Sequence, residues 1–326
     1  MDVLSDVITA MRAGRPHSSR RLKHAPWGMR FPASEGAGFH VVLEGTAWLI
    51  PPGDDAAPVR LGVGDVVFLA HGRGHALADD PGTPLEDVVP GPDGTWPTPA
   101  DEPPTDPDAP TTRLLCGAYQ LNRSRAHPLL THLPDAVHLP ARLGAHPALR
   151  SAIDLLGAEL RTPQPGSDAI VPALLDTLLL YILRAWWLED SHAPSRPGEA
   201  TGAGTPATGP GEATGWAAAL ADPPVSTALD ALHADPAHPW TVEELGTLAG
   251  LSRAAFSRRF TTLLGQPPLT YLTWWRMTTA GHLLRTDDAP LRVIAQRTGY
   301  TSEFAFAKAF KREFGVAPGR YRGGVG

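Results

Sequence analysis

Hydrophobic positions along this chain follow two periods, and the change from one to the other marks its architecture. Between about residues 27 and 77 the pattern is one of strands and turns. It predicts strands over 39–50, broken at Glu44-Gly45, and over 59–69, with Gly62 and Gly64-Asp65 as turn residues. Residues 82–110 are dense in Pro, Gly, Asp and Thr, too polar to bury, and are expected to form a long surface loop or disordered insertion. A returning strand is predicted over 112–119, carrying Cys116-Gly117. From there the period is helical, with helices expected over 147–160 and 167–188. The second places Leu174, Leu175, Leu178, Leu179, Ile182 and Leu183 on one side, an apolar face broad enough to require a cover. Residues 190–215 are almost entirely Ser, Pro, Gly, Ala, Thr and Glu, the composition of a flexible linker. Everything from Trp216 onward is helical in pattern.

That last region contains one pattern twice. The first copy runs Leu245, Gly250, Leu251, Phe256, Phe260, Gly265, Pro268, Tyr271, and the second Ile294, Gly299, Tyr300, Phe306, Phe310, Gly315, Pro318, Tyr321. The offset grows by one residue across the turn, so the second turn is one residue longer. Each position has a physical role. The glycine after a short helix adopts the left-handed conformation that ends it. Ser252 or Ser302 then caps the next helix, and the paired phenylalanines, four apart, pack that helix on the first. Residues 268–285 form a helix joining the copies. Two helix-turn-helix units can present two recognition helices to major-groove faces roughly 34 Å apart, which makes DNA the first ligand to consider.

Charge sharpens this picture. The 326-residue chain has a net charge of −6, but residues 222–326 carry 12 Arg plus Lys against 9 Asp plus Glu, or +3, leaving −9 on the remainder. A mildly basic DNA module joined to an acidic partner domain fits this polarity. Cys116 is the single cysteine, so an intramolecular disulfide is impossible and nothing implies an oxidising compartment. The first 15 residues include Asp2 and Asp6 and lack the organisation of a signal peptide. Residues 169–188 are apolar enough to consider as a membrane span. Pro172, Asp176 and Arg184 within them favour a buried amphipathic helix, so no membrane partner and a cytoplasmic location are expected.

With both turns, the joining helix and the ending Phe310-Lys311-Arg312-Glu313-Phe314-Gly315 through Tyr321-Arg322, residues 222–322 resemble the AraC/XylS family of transcription regulators. The resemblance implies a seven-helix DNA-binding domain. The N-terminal part is similar to the cupin-type sensor domain of one branch of that family. The similarity is carried by Trp27, by the stretch from Phe39 to Gly45, by Gly64-Asp65 through Leu69 ending at His75, and by Cys116-Gly117. Helix geometry and the resemblance together select the DNA-reading positions. Arg253, Ala254, Ser257 and Arg258 face away from Phe256 and Phe260. Glu303, Phe304, Ala307 and Lys308 face away from Phe306 and Phe310. Arginine pairs with guanine, while Ala and Phe meet a thymine methyl. Lys311, Arg312, Arg276 and Arg292 are expected at phosphate. Glu303 either accepts from a cytosine amino group or only favours the helix start near Ser302.

Cupin folds often hold a metal on two or three His and one Glu. In this sequence only His40 falls in the first metal motif, at an ordinary strand position, and only His75 matches the second; His71 and His75 flank a turn. That is short of a catalytic set, so no catalytic residue, metal or cofactor is expected. His75 otherwise reads as a barrel-mouth residue held by a backbone hydrogen bond. Cys116 reads as a small buried hydrophobe. The rival reading is a thiol sensor with its pKa lowered by a nearby imidazolium, His127 or His132. An oxidant response that survived Cys116→Ser would end it.

The sequence thus predicts an α+β multidomain chain. A cupin-like β-barrel (1–135) is followed by a helical hairpin (136–190) that is expected to serve as the contact of a homodimer. A flexible linker (191–215) leads to an all-α double helix-turn-helix domain (216–326). The expected function is sequence-specific regulation of transcription on double-stranded DNA. The barrel would sense a small-molecule or redox effector through Cys116, His40 and His75, with RNA polymerase a further partner for an activator. The alternatives are a metal-dependent, dioxygenase-like cupin enzyme with an accessory DNA module, and a nucleoid protein indifferent to sequence.

Overall fold

The computed structural model describes residues 3–11, 16–34, 36–51, 56–91, 96–97, 106, 108–119, 133–142, 144–192 and 215–323. Tertiary contacts divide these into two units. One is built from residues within 12–123 and 133–189, the other from residues within 1–11 and 190–326. Most of the expected linker, 193–214, and both His127 and His132 lie outside the described residues.

The first unit opens with β1 (His17–His24), β2 (Gly28–Phe31), β3 (Ala37–Glu44), β4 (Ala47–Ile50), β5 (Val59–Leu61) and β6 (Val66–Leu69). It continues with β7 (His75–Ala78), β8 (Glu86–Asp87), β9 (Thr111–Tyr119) and β10 (Val137–Leu139). Two five-stranded sheets result, in the orders β1-β9-β3-β6-β10 and β5-β4-β7-β2-β8. They face each other without closing, a cupin-like sandwich. The run predicted over 39–50 breaks at Glu44-Gly45 as expected, but its halves lie in different sheets. β3 pairs with β6 and β9, and β4 with β5 and β7. The core between the sheets is drawn from both: Met29, Leu49, Leu61 and Leu77 from one, Val42, Val67 and Leu114 from the other. Side chains alternate across a strand, so Phe39 and Val41 of β3 point to the opposite face, where they are equally buried.

The predicted hairpin forms as α2 (Pro147–Arg161) and α3 (Ser167–His192). The leucine face of α3 is already covered within the protein. Leu175, Leu178, Leu179, Ile182 and Leu183 are all buried, and the Tyr119 hydroxyl on β9 donates to the Leu175 carbonyl at 2.7 Å. This face therefore supplies no open dimer surface. Among the described residues α3 is the one helix long and apolar enough to cross a membrane. Its leucine side is instead buried within the protein.

Part of the segment expected to be too polar to bury is also structural. Val88 joins the core, next to β8, which runs parallel to β2. Trp96 packs against the same core.

The second unit begins with α1 (Val3–Met11), which buries Val3, Leu4, Val7 and Ile8. Its contacts are with α5 (Pro223–Ala234) and α8 (Pro268–Thr286), so the chain start groups with the C-terminal helices and not with the barrel. There Asp6 comes within 3.4 Å of His233 Nδ1, and His233 Nε2 bonds the Tyr271 hydroxyl at 2.6 Å. The remaining helices are α4 (Trp216–Ala221), α6 (Val242–Leu248), α7 (Arg253–Leu264), α9 (Leu291–Arg297), α10 (Glu303–Phe314) and α11 (Pro318–Arg322). From α5 to α11 there are seven, the number implied by the resemblance.

Candidate nucleic-acid interface and barrel cavity

Both helix-turn-helix units are built as their residue pattern dictates. Gly250 and Gly299 end α6 and α9 with φ of 67° and 79°. The hydroxyls of Ser252 and Ser302 accept from the backbone N–H of Ala255 and Ala305 at 3.3 and 3.1 Å, starting α7 and α10. The turns span 249–252 and 298–302, one residue longer in the second. Phe256, Phe260, Phe306 and Phe310 are fully buried. In the second copy they meet Ile294 and Ala295 of α9 and Met277, Ala280 and Leu284 of α8.

The opposite faces are open. On α7, Arg253, Ala254 and Arg258 are exposed and Ser257 is half-buried. On α10, Glu303, Phe304 and Lys308 are exposed and Ala307 is half-buried. Phe304, one turn before Lys308, is 79% exposed, an unfavourable placement for a large aromatic ring unless something covers it. Lys311, Arg312 and Arg292 are also exposed. Glu303 opens α10, where its charge complements the helix N-terminus while staying accessible.

Arg276 is different. Its Nε and Nη2 donate to the carbonyls of Pro236 and His238 at 2.7 and 2.8 Å, and half-burial lowers its pKa by desolvation. It also lies against Gly299, where a Cβ would come within 2.7 Å of the guanidinium. The group expected at phosphate thus clamps the turn of the second unit to the segment preceding the first.

In the barrel, His40 and Cys116 are direct cross-strand partners of β3 and β9, and His75 pairs with Phe31 in the facing sheet. The inward alternation brings three chemically active groups together. His40 Nδ1 lies 3.0 Å from Cys116 Sγ, and His40 Nε2 lies 2.8 Å from His75 Nε2. His75 Nδ1 faces the Arg73 carbonyl at 3.5 Å. A carbonyl only accepts, so the proton sits on that nitrogen. His75 Nε2 then accepts from His40 Nε2–H, and His40 Nδ1 accepts from the Cys116 thiol. Every member of this chain is neutral. Burial pushes the thiol up to about 12 against the pull of Arg21. Burial also takes His75 down to about 4 and His40 well below its usual value. Neither His40 nor His75 therefore supplies an imidazolium to activate the thiol.

A cupin metal does not fit these residues. Both ring nitrogens of His40 are engaged by neighbours, and the donor atoms do not converge on one point. His71 is elsewhere, its Nε2 at 2.8 Å from the Leu133 carbonyl. Among the described residues no group of three His, Cys, Asp or Glu is placed to hold a metal.

These groups line a cavity of about 50 Å³ whose wall also includes His17, Ser19, Arg21, Phe31, Leu69 and Trp96. The first three come from β1, which the sequence reading missed. The available signal was their spacing, 17, 19 and 21, which puts all three on one face of a strand.

A two-sheet sandwich carrying a cavity, combined with two capped helix-turn-helix units whose outer faces are open, defines a DNA-binding regulator. Comparison with known proteins places it among them. A family described as Cupin matches residues 2–187, and a helix-turn-helix domain family matches residues 245–324. An AraC-like transcription regulator of Streptomyces antibioticus is 33% identical over 99% of this chain and 98% of its own. The RCS-specific transcriptional activator RclR of Escherichia coli is 30% identical over 66% of this chain and 69% of its own. The DNA-binding domain of AdpA, solved with a target DNA, is 35% identical over 32% of this chain and 92% of that one, with a TM-score of 0.30. The chain belongs to the AraC-like transcription regulators with a cupin-type N-terminal domain. It binds double-stranded DNA and is not an enzyme.

Proposed function

We propose that α7 and α10 read base edges through Arg253, Ala254, Ser257, Arg258, Glu303, Phe304, Ala307 and Lys308, while Lys311 and Arg312 fix register on phosphate. The observation that carries this reading is the exposed ring of Phe304 beside Lys308 on the open face of a rigidly packed helix. An apolar ring there gains a partner in a thymine methyl, and an ammonium beside it meets guanine or phosphate. Arg276 is left out of the set because its donors are engaged by backbone carbonyls.

The barrel is the sensor in this reading, and its signal is a small molecule. A buried, protonated thiol is a poor nucleophile, so the state of Cys116 favours a ligand over an oxidant. The protein acts in the cytoplasm as a homodimer. Contact through the hairpin is supported by Leu155 and Ile170, 59% and 44% exposed on α2 and α3. Its relative RclR is named an activator, which supports RNA polymerase as the further partner.

Alanine substitutions test the division of roles. Arg258→Ala is expected to weaken binding to a preferred duplex by about 1–3 kcal/mol and to relax the choice at one base pair. Lys311→Ala should weaken binding to all duplexes alike and reduce the slope of log affinity against log salt by about one. Fluorescence-anisotropy titrations across salt concentrations distinguish them. Identical behaviour of the two variants would contradict the assignment.

A further inference from the structure

Arg21 is 4% exposed, yet no carboxylate among the described residues pairs with it. Its Nη2 donates to the Pro97 carbonyl at 2.6 Å, its guanidinium stands 5.9 Å from the centre of the Phe31 ring, and its Nε has no partner. A guanidinium stays charged at any physiological pH, and burying one without an anion is costly. The charge acts on the cavity: it disfavours a proton on His17 and His40 and favours the thiolate of Cys116. His17 Nε2, on the same strand and the same cavity wall, is a second buried polar atom without a partner. Around these polar atoms the wall is apolar and aromatic, with Phe31, Leu69 and Trp96.

We propose that this cavity is the receptor site for a compact monocarboxylate, whose carboxylate pairs with Arg21 and whose short aromatic or branched body lies against Phe31, Leu69 and Trp96. The guanidinium fork matches a carboxylate in geometry and charge. A single uncompensated cation fits a monoanion, since a dianion would leave a net negative charge buried. The apolar wall selects an organic acid over an inorganic oxyanion. A cavity of about 50 Å³ takes a small acid and excludes a long chain. The proposal names the ligand class for the sensor reading and rests on it.

The test is calorimetric titration and thermal denaturation of the full chain with benzoate, isobutyrate, benzamide and inorganic phosphate, in the absence of DNA. Benzoate or isobutyrate should bind saturably at one per chain and raise Tm, with benzamide, the neutral isostere of benzoate, weaker by at least about tenfold. Phosphate should bind more weakly than either acid. Arg21→Met should lose acid binding and, without ligand, melt at or above the wild-type temperature, because a buried unpaired charge has gone. Failure of both acids to bind, equal binding of benzoate and benzamide, tighter binding of phosphate, or undiminished binding to Arg21→Met would each overturn the proposal. An unfolded Arg21→Met would leave the benzoate and benzamide comparison on the wild-type chain as the deciding result. An acid that binds through Arg21 but leaves DNA affinity unchanged would uphold the site and contradict the sensor reading.

Discussion

Phe310→Ala is expected to destabilise the C-terminal unit by about 3–5 kcal/mol, a large share of the roughly 5–15 kcal/mol that holds a domain together. Phe310 is fully buried. Its ring stacks on Phe314 at 4.2 Å, meets Tyr321 edge-on at 5.2 Å, and touches Phe306 at 5.7 Å. It belongs to the cluster through which α10 rests on α8 and α9. Removing it takes away both the transfer energy of the ring and the contacts of its neighbours, because the surrounding helices cannot collapse fully onto the space left behind. Its position also predicts a functional loss. α10 presents Phe304 and Lys308 on the face opposite Phe310, so loosening the inner face misplaces the outer one. Urea denaturation followed by circular dichroism measures the first effect, and anisotropy on a preferred duplex the second. A variant that kept both wild-type stability and wild-type affinity would contradict the packing described.

The second large effect is expected in the barrel, from Gly117→Val. Gly117 and Phe39 are cross-strand partners of β9 and β3. The Phe39 ring lies so close over the glycine that an added Cβ would come within 2.1 Å of it. Phe39 is itself fully buried and has no room to withdraw. Overpacking of this kind costs about 1–3 kcal/mol, or more where the neighbours are fixed. The strain falls beside Cys116, so the hydrogen-bonded chain to His40 and His75 should loosen with it. Hydrogen exchange is expected to rise in β3 and β9 and to stay unchanged in α7 and α10. Uniform change across both units would contradict that confinement.

What the sequence made legible, and what it hid, follows from the kind of force acting at each place. The helix-turn-helix units were legible because their positions are set by local physics: a left-handed glycine, a serine cap and phenylalanines four apart. The joining helix was expected over 268–285 and observed over Pro268–Thr286 for the same reason. In the barrel, strands with apolar alternation were found, while β1, with the sequence His-Ser-Ser-Arg-Arg-Leu-Lys-His, was not. Its inward positions are polar because they face a cavity, which removes the hydrophobic signal. Val88 and Trp96 were hidden in a stretch whose composition is that of a loop, since one buried side chain does not change a local average. The pairing of His40 with His75 comes from sheets folding over one another across 35 residues, a relation without a local trace. Likewise, the leucines of α3 announced that they needed a cover but not that the protein's own fold would bury them, with Tyr119 of β9 bonded to the Leu175 carbonyl. Arg276 resembled any exposed cation until the carbonyls of Pro236 and His238 were brought to it.

The central claim, that two recognition helices read one DNA site, is tested most directly by selection from a randomised duplex pool with the full chain at physiological salt, followed by sequencing of the bound fraction. The account predicts an enriched motif with two short conserved blocks about one helical turn apart, roughly 10 base pairs, and loss of one block in Phe304→Ala/Lys308→Ala. Enrichment of a single block unaffected by those substitutions, or binding without sequence preference, would contradict it.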